Sequence, residues 1–343
     1  MSERRMQKNK VVNICYVTDE AYAMPACISA FSAIFNKMAE SYYNIYILCK
    51  NVSDEKKKYF EKLECNTVKM HLIDILDKKD YTDFRIDGIP ATPTSIFKFY
   101  IPEILKDIDR VIFIDCDTIV QRDLTQLYNI ELNGKMVGAV KNPSRRMRKT
   151  PAHAAKCRYF NSGVMLMDLK QMREKDCSQK MMDYRTYGIN RLMDQDAINA
   201  VMRGSAEMIP FCYNTMIGSI ASSLFWSGGE PFSNAKTIWG LEEDTIDQTV
   251  EDAVILHYYA ATKPWKYYDG YGGDIWYYYY MLSPYKMVKL ERKSNYLEKL
   301  AKSKSYRVGD AVVKAMKLLK PDRMTSSDKE YENFLTSFYD NME

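Results

Sequence analysis

Residues 110–120, RVIFIDCDTIV, decide how this chain is read. Val111 to Ile114 form an unbroken run of β-branched and aromatic residues, the pattern of a strand buried on both faces of a parallel sheet. The run delivers Asp115 and Asp117 at its carboxyl end. Side chains alternate along a strand, so these carboxylates point the same way while Cys116 faces the opposite side. Two converging anions can hold a hard divalent cation, which prefers oxygen ligands. In open α/β sheets the carboxyl ends of the strands are also where ligands bind. The pair therefore reads as a metal site for a phosphorylated ligand. A local alternative stands beside it, because Asp also serves turns after strands by accepting from nearby backbone N–H groups.

Outward from this strand, apolar and helical signals alternate. Residues 11–18 (VVNICYVT) read as a first buried strand ending at Asp19, and residues 25–39 as a helix with Pro25 in its first turn. Asn44 to Cys49 is a second strand, Ser53 opens an exposed lysine-rich helix, and Val68 to Ile73 is a third strand. Ile96 to Leu105 reads as helical despite Pro102 and leads into the Asp115 strand. This alternation predicts an α/β sheet of mainly parallel strands. The expected organisation is one body over 11–285 followed by an extension over 286–343.

Composition narrows the class. The chain has 343 residues, of which 46% are hydrophobic and 27% charged, enough for a substantial core. Eight irregularly spaced cysteines without a CxxC pair, and only three histidines, suggest neither a zinc cluster nor a disulfide framework. The segment MSERRMQKNK lacks an apolar signal core and no run is long enough to span a bilayer, so a reduced, cytoplasmic setting is expected. The net charge is +4, but residues 286–323 alone carry twelve Lys/Arg against four Asp/Glu. Residues 324–343 are acidic and the body is neutral, which argues against nucleic-acid binding and points to a local surface role for the basic segment.

Five further segments occur in order around the Asp115 strand. VTDEAY sets Asp19 and Tyr22 after the first strand. Ser95-Ile-Phe-Lys98-Phe-Tyr precedes the Asp115 strand at short distance. YFNSGVMLMDLK carries Asn161-Ser162-Gly163, the glycine permitting close approach to the backbone. LMDQDAINAVM groups Asp194, Gln195 and Asp196 at the start of a helix whose Met193, Ala197, Ile198 and Val201 can face the core. AVILHYYAATKPW ends a strand with His257 and follows with Lys263.

This ordered set, covering roughly residues 11–265, resembles the retaining glycosyltransferases of the glycogenin and bacterial lipopolysaccharide galactosyl/glucosyltransferase family, family 8. The resemblance implies a GT-A fold, a UDP-sugar donor, Mn²⁺ (or Mg²⁺) and transfer with retention. Carried over residue by residue, Asp115, Asp117 and His257 resemble the metal ligands, and Mn²⁺ accepts such mixed carboxylate and imidazole sets. Asp19 and Tyr22 look like uridine and ribose contacts. Lys98 stands where the family usually has Arg, a change that gives up the planar bidentate fork. Lys263 resembles the lysine on the departing diphosphate. Asn161, Asp194 and Gln195 resemble the donor-sugar contacts. An amide is a poor nucleophile, which favours front-face substitution through an ion pair, with Gln195 beside the sugar and Asp196 as the carboxylate alternative for a covalent intermediate. From residue pattern alone the Asp194 cluster also reads as a helix cap. A further departure is Ala260, where the family often has Gly three residues after the metal-binding His.

Haloacid-dehalogenase-type phosphatases carry a similar Asp-x-Asp, but with Thr or Val where this chain has Ile119, and usually near the N-terminus. That reading, with Asp115 as nucleophile, leaves the Asn-Ser-Gly, Asp-Gln-Asp and His-Tyr-Tyr segments unexplained. A non-catalytic UDP-sugar or glycan-binding protein would not need three metal ligands and Lys263. The basic connection 141–158 reads as a lid or as a solvated loop. The aromatic run Trp276 to Tyr280 reads as core packing, or as an acceptor-sugar surface. In the extension, Val312, Ala315 and Leu319 share a helical face away from Asp310, Lys314 and Lys317, so residues 286–323 either meet an anionic membrane surface or pack on the body. The sequence and the resemblance thus predict a metal-dependent hexosyltransferase acting on a glycan acceptor, a lipid-linked or cell-surface precursor, at the cytoplasmic membrane face.

Overall fold

A computed structural model of the chain describes residues 11–75, 85–86, 89–90, 93–142, 159–187, 194–221, 231–259 and 262–294. One compact unit runs through Arg292; a second, 293–343, is described only at its first two residues. The strands in chain order are β1 (Val11–Asp19), β2 (Tyr42–Lys50), β3 (Val68–Asp74), the short antiparallel pair β4 (Arg85–Ile86) and β5 (Ile89–Pro90), β6 (Arg110–Ile114), β7 (Thr118–Val120), β8 (Val137–Lys141), β9 (Phe160–Asp168), β10 (Ala206–Met208), β11 (Thr215–Met216) and β12 (Ile255–His257).

Seven of them form the central sheet in the order β10-β8-β9-β6-β1-β2-β3. β1, β2, β3 and β6 run parallel, as do β8 and β10, while β9 runs against both β6 and β8. The α/β expectation holds, with one reversed strand at the position that matters. Because β9 opposes β6, Ile114 pairs with Val164, and the Asp115 N–H donates to the Gly163 carbonyl at 2.7 Å.

The unbroken apolar runs are explained by burial on two sides. Along β1, Val12, Ile14 and Tyr16 join the cluster that includes the helix Ala23–Phe35, whereas Cys15 and Val17 join the cluster on the opposite face with Phe97 and Phe99. β6 divides in the same way, Ile112 and Ile114 to one side and Val111 and Phe113 to the other. A strand with an apolar layer on each face leaves no position for polar alternation.

Two local expectations change. The first helix spans Ala23–Phe35 rather than 25–39. Asn36 ends it, its side-chain amide reaching the Ser32 and Val120 carbonyls and the Tyr279 hydroxyl at 2.8–3.0 Å. The 96–105 segment is a 3₁₀ helix, Pro93–Tyr100, followed by the short α-helix Ile101–Ile104. Pro102 falls in that α-helix's first turn, where a missing N–H costs nothing. The aromatic run lies on the helix Gly273–Leu282, with Trp276, Tyr279 and Tyr280 buried and Tyr277 and Tyr278 exposed. The basic connection beyond Asn142, Met193, Ala260 and the helix expected around 312–319 lie outside the described residues.

Candidate active site

The carboxyl end of β6 breaks into a turn that carries Asp115 and Asp117 and then re-enters a small sheet of order β11-β12-β7. Antiparallel pairing of β7 with β12 sets His257 opposite Thr118, and the Tyr258 N–H donates to the Asp117 carbonyl at 2.8 Å. The imidazole is thereby carried to the carboxylates. His257 Nε2 lies 3.3 Å from Asp117 Oδ1 and 4.0 Å from Asp115 Oδ2. The three residues each offer one ligand atom, all within 4.8 Å of one another.

Gly163 completes the cradle. A Cβ there would stand 2.3 Å from His257 Cε1 and 2.9 Å from Asp115 Oδ2, so no larger residue fits without displacing both side chains. Oxygen and imidazole donors converging on one point, with a wall shaved to glycine, suit a divalent cation such as Mn²⁺.

Two lysines balance the carboxylates. Lys98, brought in by the 3₁₀ helix and itself buried, bridges Asp115 Oδ1 at 2.8 Å and Asp194 Oδ2 at 2.9 Å. Burial pulls its ammonium down, but the two carboxylates outweigh that and hold it above its ordinary value. Lys263 donates to the Asp117 carboxylate and to the Tyr258 carbonyl, the latter at 2.8 Å. Burial pushes Asp117 up, yet Lys263 and His257 outweigh it and hold the carboxyl well below the usual range. Asp115 is pushed up, by burial first and by the neighbouring charge of Asp117, with Lys98 opposing.

On the other side of Lys98 stands the helix Gln195–Val201. Asp194 occupies its N-cap position without making a side-chain cap bond, so the cap reading is corrected. The carboxylate instead takes Lys98 and the Ser162 hydroxyl, the latter at 3.1 Å. Gln195 Oε1 accepts from Asn161 Nδ2 and the Ser162 N–H, both at 3.1 Å. Asn199 locks this helix onto β9 by pairing with both the N–H and the carbonyl of Phe160 at 2.9 Å. Asp196 is fully buried behind the cleft, accepting from the Tyr159 hydroxyl at 2.6 Å.

Asp19 ends β1 and accepts from the Tyr22 N–H at 3.0 Å and the Thr94 hydroxyl at 2.8 Å. Tyr22 packs edge-on to Trp265, with ring centroids 5.7 Å apart. Its phenol is raised to about 12, by burial first and then by the carboxylates of the cleft, Asp117 foremost. The structure thus gathers Asp115, Asp117, His257, Lys98, Lys263, Asn161, Asp194 and Gln195 into one linked cluster, flanked by Asp19 and Tyr22, with Asp196 set back.

Three buried partners escaped the sequence reading. Tyr159 holds Asp196, and the Arg185 guanidinium is under the influence of Asp194 and Asp196. Asn214 sits between Asn161 Oδ1 and His257 Nδ1, 2.8 Å from each. Its one sequence signal is a polar side chain inside Phe211-Cys-Tyr-Asn-Thr-Met, amid otherwise buried elements. With all groups ionised, Asp115, Asp117, Asp194 and Asp196 outnumber Lys98, Lys263 and Arg185 by one, which leaves the cluster receptive to a further cation.

Comparison with known proteins bears on family and fold. The sequence pattern of the family described as glycosyl transferase family 8 matches residues 13–269. The chain is 26% identical to a lipopolysaccharide 1,2-glucosyltransferase of Escherichia coli K12, over 75% of this chain and 73% of that one. It is 24% identical to general stress protein A of Bacillus subtilis, over 76% of this chain and 89% of that one. The galactosyltransferase LgtC, solved with donor and acceptor sugar analogs, superposes with a TM-score of 0.61 at 20% identity, covering 80% of this chain and 96% of the other. That likeness shows a shared GT-A fold.

Proposed function

Because the chain belongs to glycosyl transferase family 8, it is a glycosyltransferase, and we propose that it moves glucose or galactose from a UDP-sugar to a glycan acceptor, with a divalent metal and with retention at the anomeric carbon. The observation that carries the metal-dependent reading is the convergence of Asp115, Asp117 and His257 on one point against Gly163. These three residues would hold the cation, Mn²⁺ by the mixed donor set and Mg²⁺ as the harder alternative. Bound there, the cation would neutralise diphosphate charge and assist departure of UDP.

The remaining work falls to the chain's own side chains. Asp19 and Tyr22, at the end of β1, are assigned to uridine and ribose. Lys98, Asn161, Asp194 and Gln195 are assigned to the donor sugar and its phosphate side. Lys98 is already committed to two carboxylates, which supports an orienting role for it in keeping Asp115 and Asp194 in position. Lys263 is assigned to the departing diphosphate, where a fixed positive charge is worth most as negative charge grows.

Front-face substitution fits these residues best. The acceptor oxygen bonds to the anomeric carbon on the face from which the phosphate oxygen leaves, and the hydroxyl proton passes to that departing oxygen. The products are the glycoside and UDP. Gln195 Oε1 already accepts two hydrogen bonds, which lowers its reach as a nucleophile and supports electrostatic stabilisation instead. The burial of Asp196 against Tyr159 supports a holding role over attack on the sugar.

For the acceptor, likeness to a lipopolysaccharide glucosyltransferase supports a lipid-linked or cell-surface glycan. No helix among the described residues is long and apolar enough to cross a membrane. The basic excess of 286–323, with Met281, Leu282 and Met287 exposed beside its start, supports peripheral contact with an anionic surface at the cytoplasmic face.

The deciding experiment is UDP release from a panel of UDP-sugars with and without Mn²⁺. Slow Mn²⁺-dependent hydrolysis of UDP-glucose or UDP-galactose is expected. Release that is indifferent to metal, or confined to a non-hexose donor, would overturn the reading.

A further inference from the structure

Two backbone N–H groups fix the polarity of a buried amide chain that ends on His257. The Gly163 N–H lies 2.9 Å from one terminal atom of Asn161. A backbone N–H can only donate, so that atom is Oδ1 and the other is Nδ2. Nδ2 then donates to Gln195 at 3.1 Å, and the Ser162 N–H, donating to the same Gln195 atom, makes it Oε1. Asn161 Oδ1 also lies 2.8 Å from an atom of Asn214, which must therefore be the Asn214 amide nitrogen. The remaining Asn214 atom is an oxygen, and it stands 2.8 Å from His257 Nδ1. An oxygen without hydrogen can only accept, so Nδ1 carries a proton. In the neutral ring Nε2 is then bare, and it is the nitrogen that faces Asp117 and Asp115.

These links are shielded from bulk solvent. Asn214 is fully buried, His257 is 2% exposed and Asn161 6%. Rotating the Asn214 amide by half a turn would set oxygen against oxygen at Asn161 and leave Nδ1 without an acceptor, a costly arrangement in a dry interior. Its backbone is framed as well, since Asn214 closes the 3₁₀ turn Phe211–Asn214 and the next residues pair in parallel with β12, Met216 beside His257.

We propose that Asn214 is a positioning residue of this glycosyltransferase: its side-chain amide holds His257 in the Nδ1–H tautomer, aims the bare Nε2 at the metal point, and through Asn161 joins that ligand to Gln195. The proposal rests on the metal reading above. It gives one continuous link between the metal ligand and the side chains assigned to the donor sugar, so a change at either end alters the other.

The test uses the full chain, ¹⁵N-labelled on histidine and free of metal, at alkaline pH. With only three histidines in the sequence, His257→Gln assigns the signal. The expected spectrum has His257 protonated at Nδ1. Mn²⁺ affinity is read in parallel, and thermal melting reports folding. Asn214→Leu should release the tautomer and weaken Mn²⁺ binding roughly 10–100-fold. Asn214→Asp keeps an acceptor for Nδ1–H but sets oxygen against Asn161 Oδ1, so it should keep the tautomer and bind Mn²⁺ more tightly than Asn214→Leu while raising the KM for the donor.

An Nε2–H tautomer in wild-type protein that binds Mn²⁺ would overturn the relay alone. Wild-type protein that binds no Mn²⁺ would overturn the metal reading and the proposal with it. Equal loss of Mn²⁺ affinity in both variants would reduce Asn214 to a packing residue and overturn its positioning role. If Asn214→Leu fails to fold, the wild-type spectrum and Asn214→Asp decide the matter by the same criteria.

Discussion

Gly163 and His257 come so close that a single methyl group on the glycine would stand 2.3 Å from the imidazole Cε1. The approach lies between β9 and β12, two strands of different sheets, and the same methyl group would stand 2.9 Å from Asp115 Oδ2. Gly163→Ala should therefore cost about 1–3 kcal/mol of stability through overpacking, and Mn²⁺ affinity should fall at least about tenfold, in line with losses from disturbed ligand shells. Urea unfolding and Mn²⁺ titration check the two effects. Unchanged metal binding would mean that the imagined approach does not constrain the site.

Asp117 is held by both His257 and Lys263. Asp117→Ala should abolish Mn²⁺-dependent UDP release while leaving far-UV circular dichroism unchanged. Full turnover at low metal would remove Asp117 from the site.

Lys263→Ala is expected to lower kcat by about 10²–10³, the range found when a preorganised charge at a developing anion is removed, with a smaller effect on donor KM. A loss confined to KM would assign Lys263 to ground-state binding alone.

Lys98 separates two carboxylates that would otherwise face each other across a buried space. Lys98→Met should destabilise the metal-free protein by roughly 3–5 kcal/mol, because breaking a buried pair leaves uncompensated charge. Added Mn²⁺ should restore part of the loss. Chemical denaturation with and without metal reads both.

Away from the cleft, Asp123 accepts from the Met38 N–H, the Tyr43 hydroxyl and the Thr125 N–H at 2.8–2.9 Å. Burial opposes ionisation, yet the Thr125 side chain foremost, then the Met38 N–H, the Ser41 side chain and the Thr125 N–H, hold the carboxyl below its ordinary value. A depressed folded value means the stabilisation is fully present above the unfolded value near pH 4 and is lost as pH falls through the folded one. Wild type should thus lose more stability than Asp123→Asn on acidification below about pH 4, and parallel stability–pH curves would refute the assignment.

Much of this was legible in the sequence where the physics is local. Val111 to Ile114 announced a strand covered on both faces because every position is apolar, and both faces are in fact covered. The end of the first helix was misread, since Asn36 stops it through Val120 and Tyr279, partners no local pattern reveals. The Asp-Gln-Asp cluster looked like a cap from spacing alone, and only the approach of Lys98 and Ser162 turns Asp194 inward. Asn214 was invisible for the same reason: its importance lies in two partners, Asn161 and His257, each tens of residues distant in the chain.

The seam between β7 and β12 also has a bearing on vectorial synthesis. Asp117 and the Lys263 that pairs with it are separated by 146 positions, and His257 arrives on the late strand β12. A nascent chain that has emerged only as far as β11 has made its aspartates and all seven strands of its central sheet, but has neither His257 nor Lys263 to complete them. On the metal reading, capture would be deferred until nearly the whole body through His257 has left the ribosome, and two fragments divided between β11 and β12 should bind Mn²⁺ only when they reassociate.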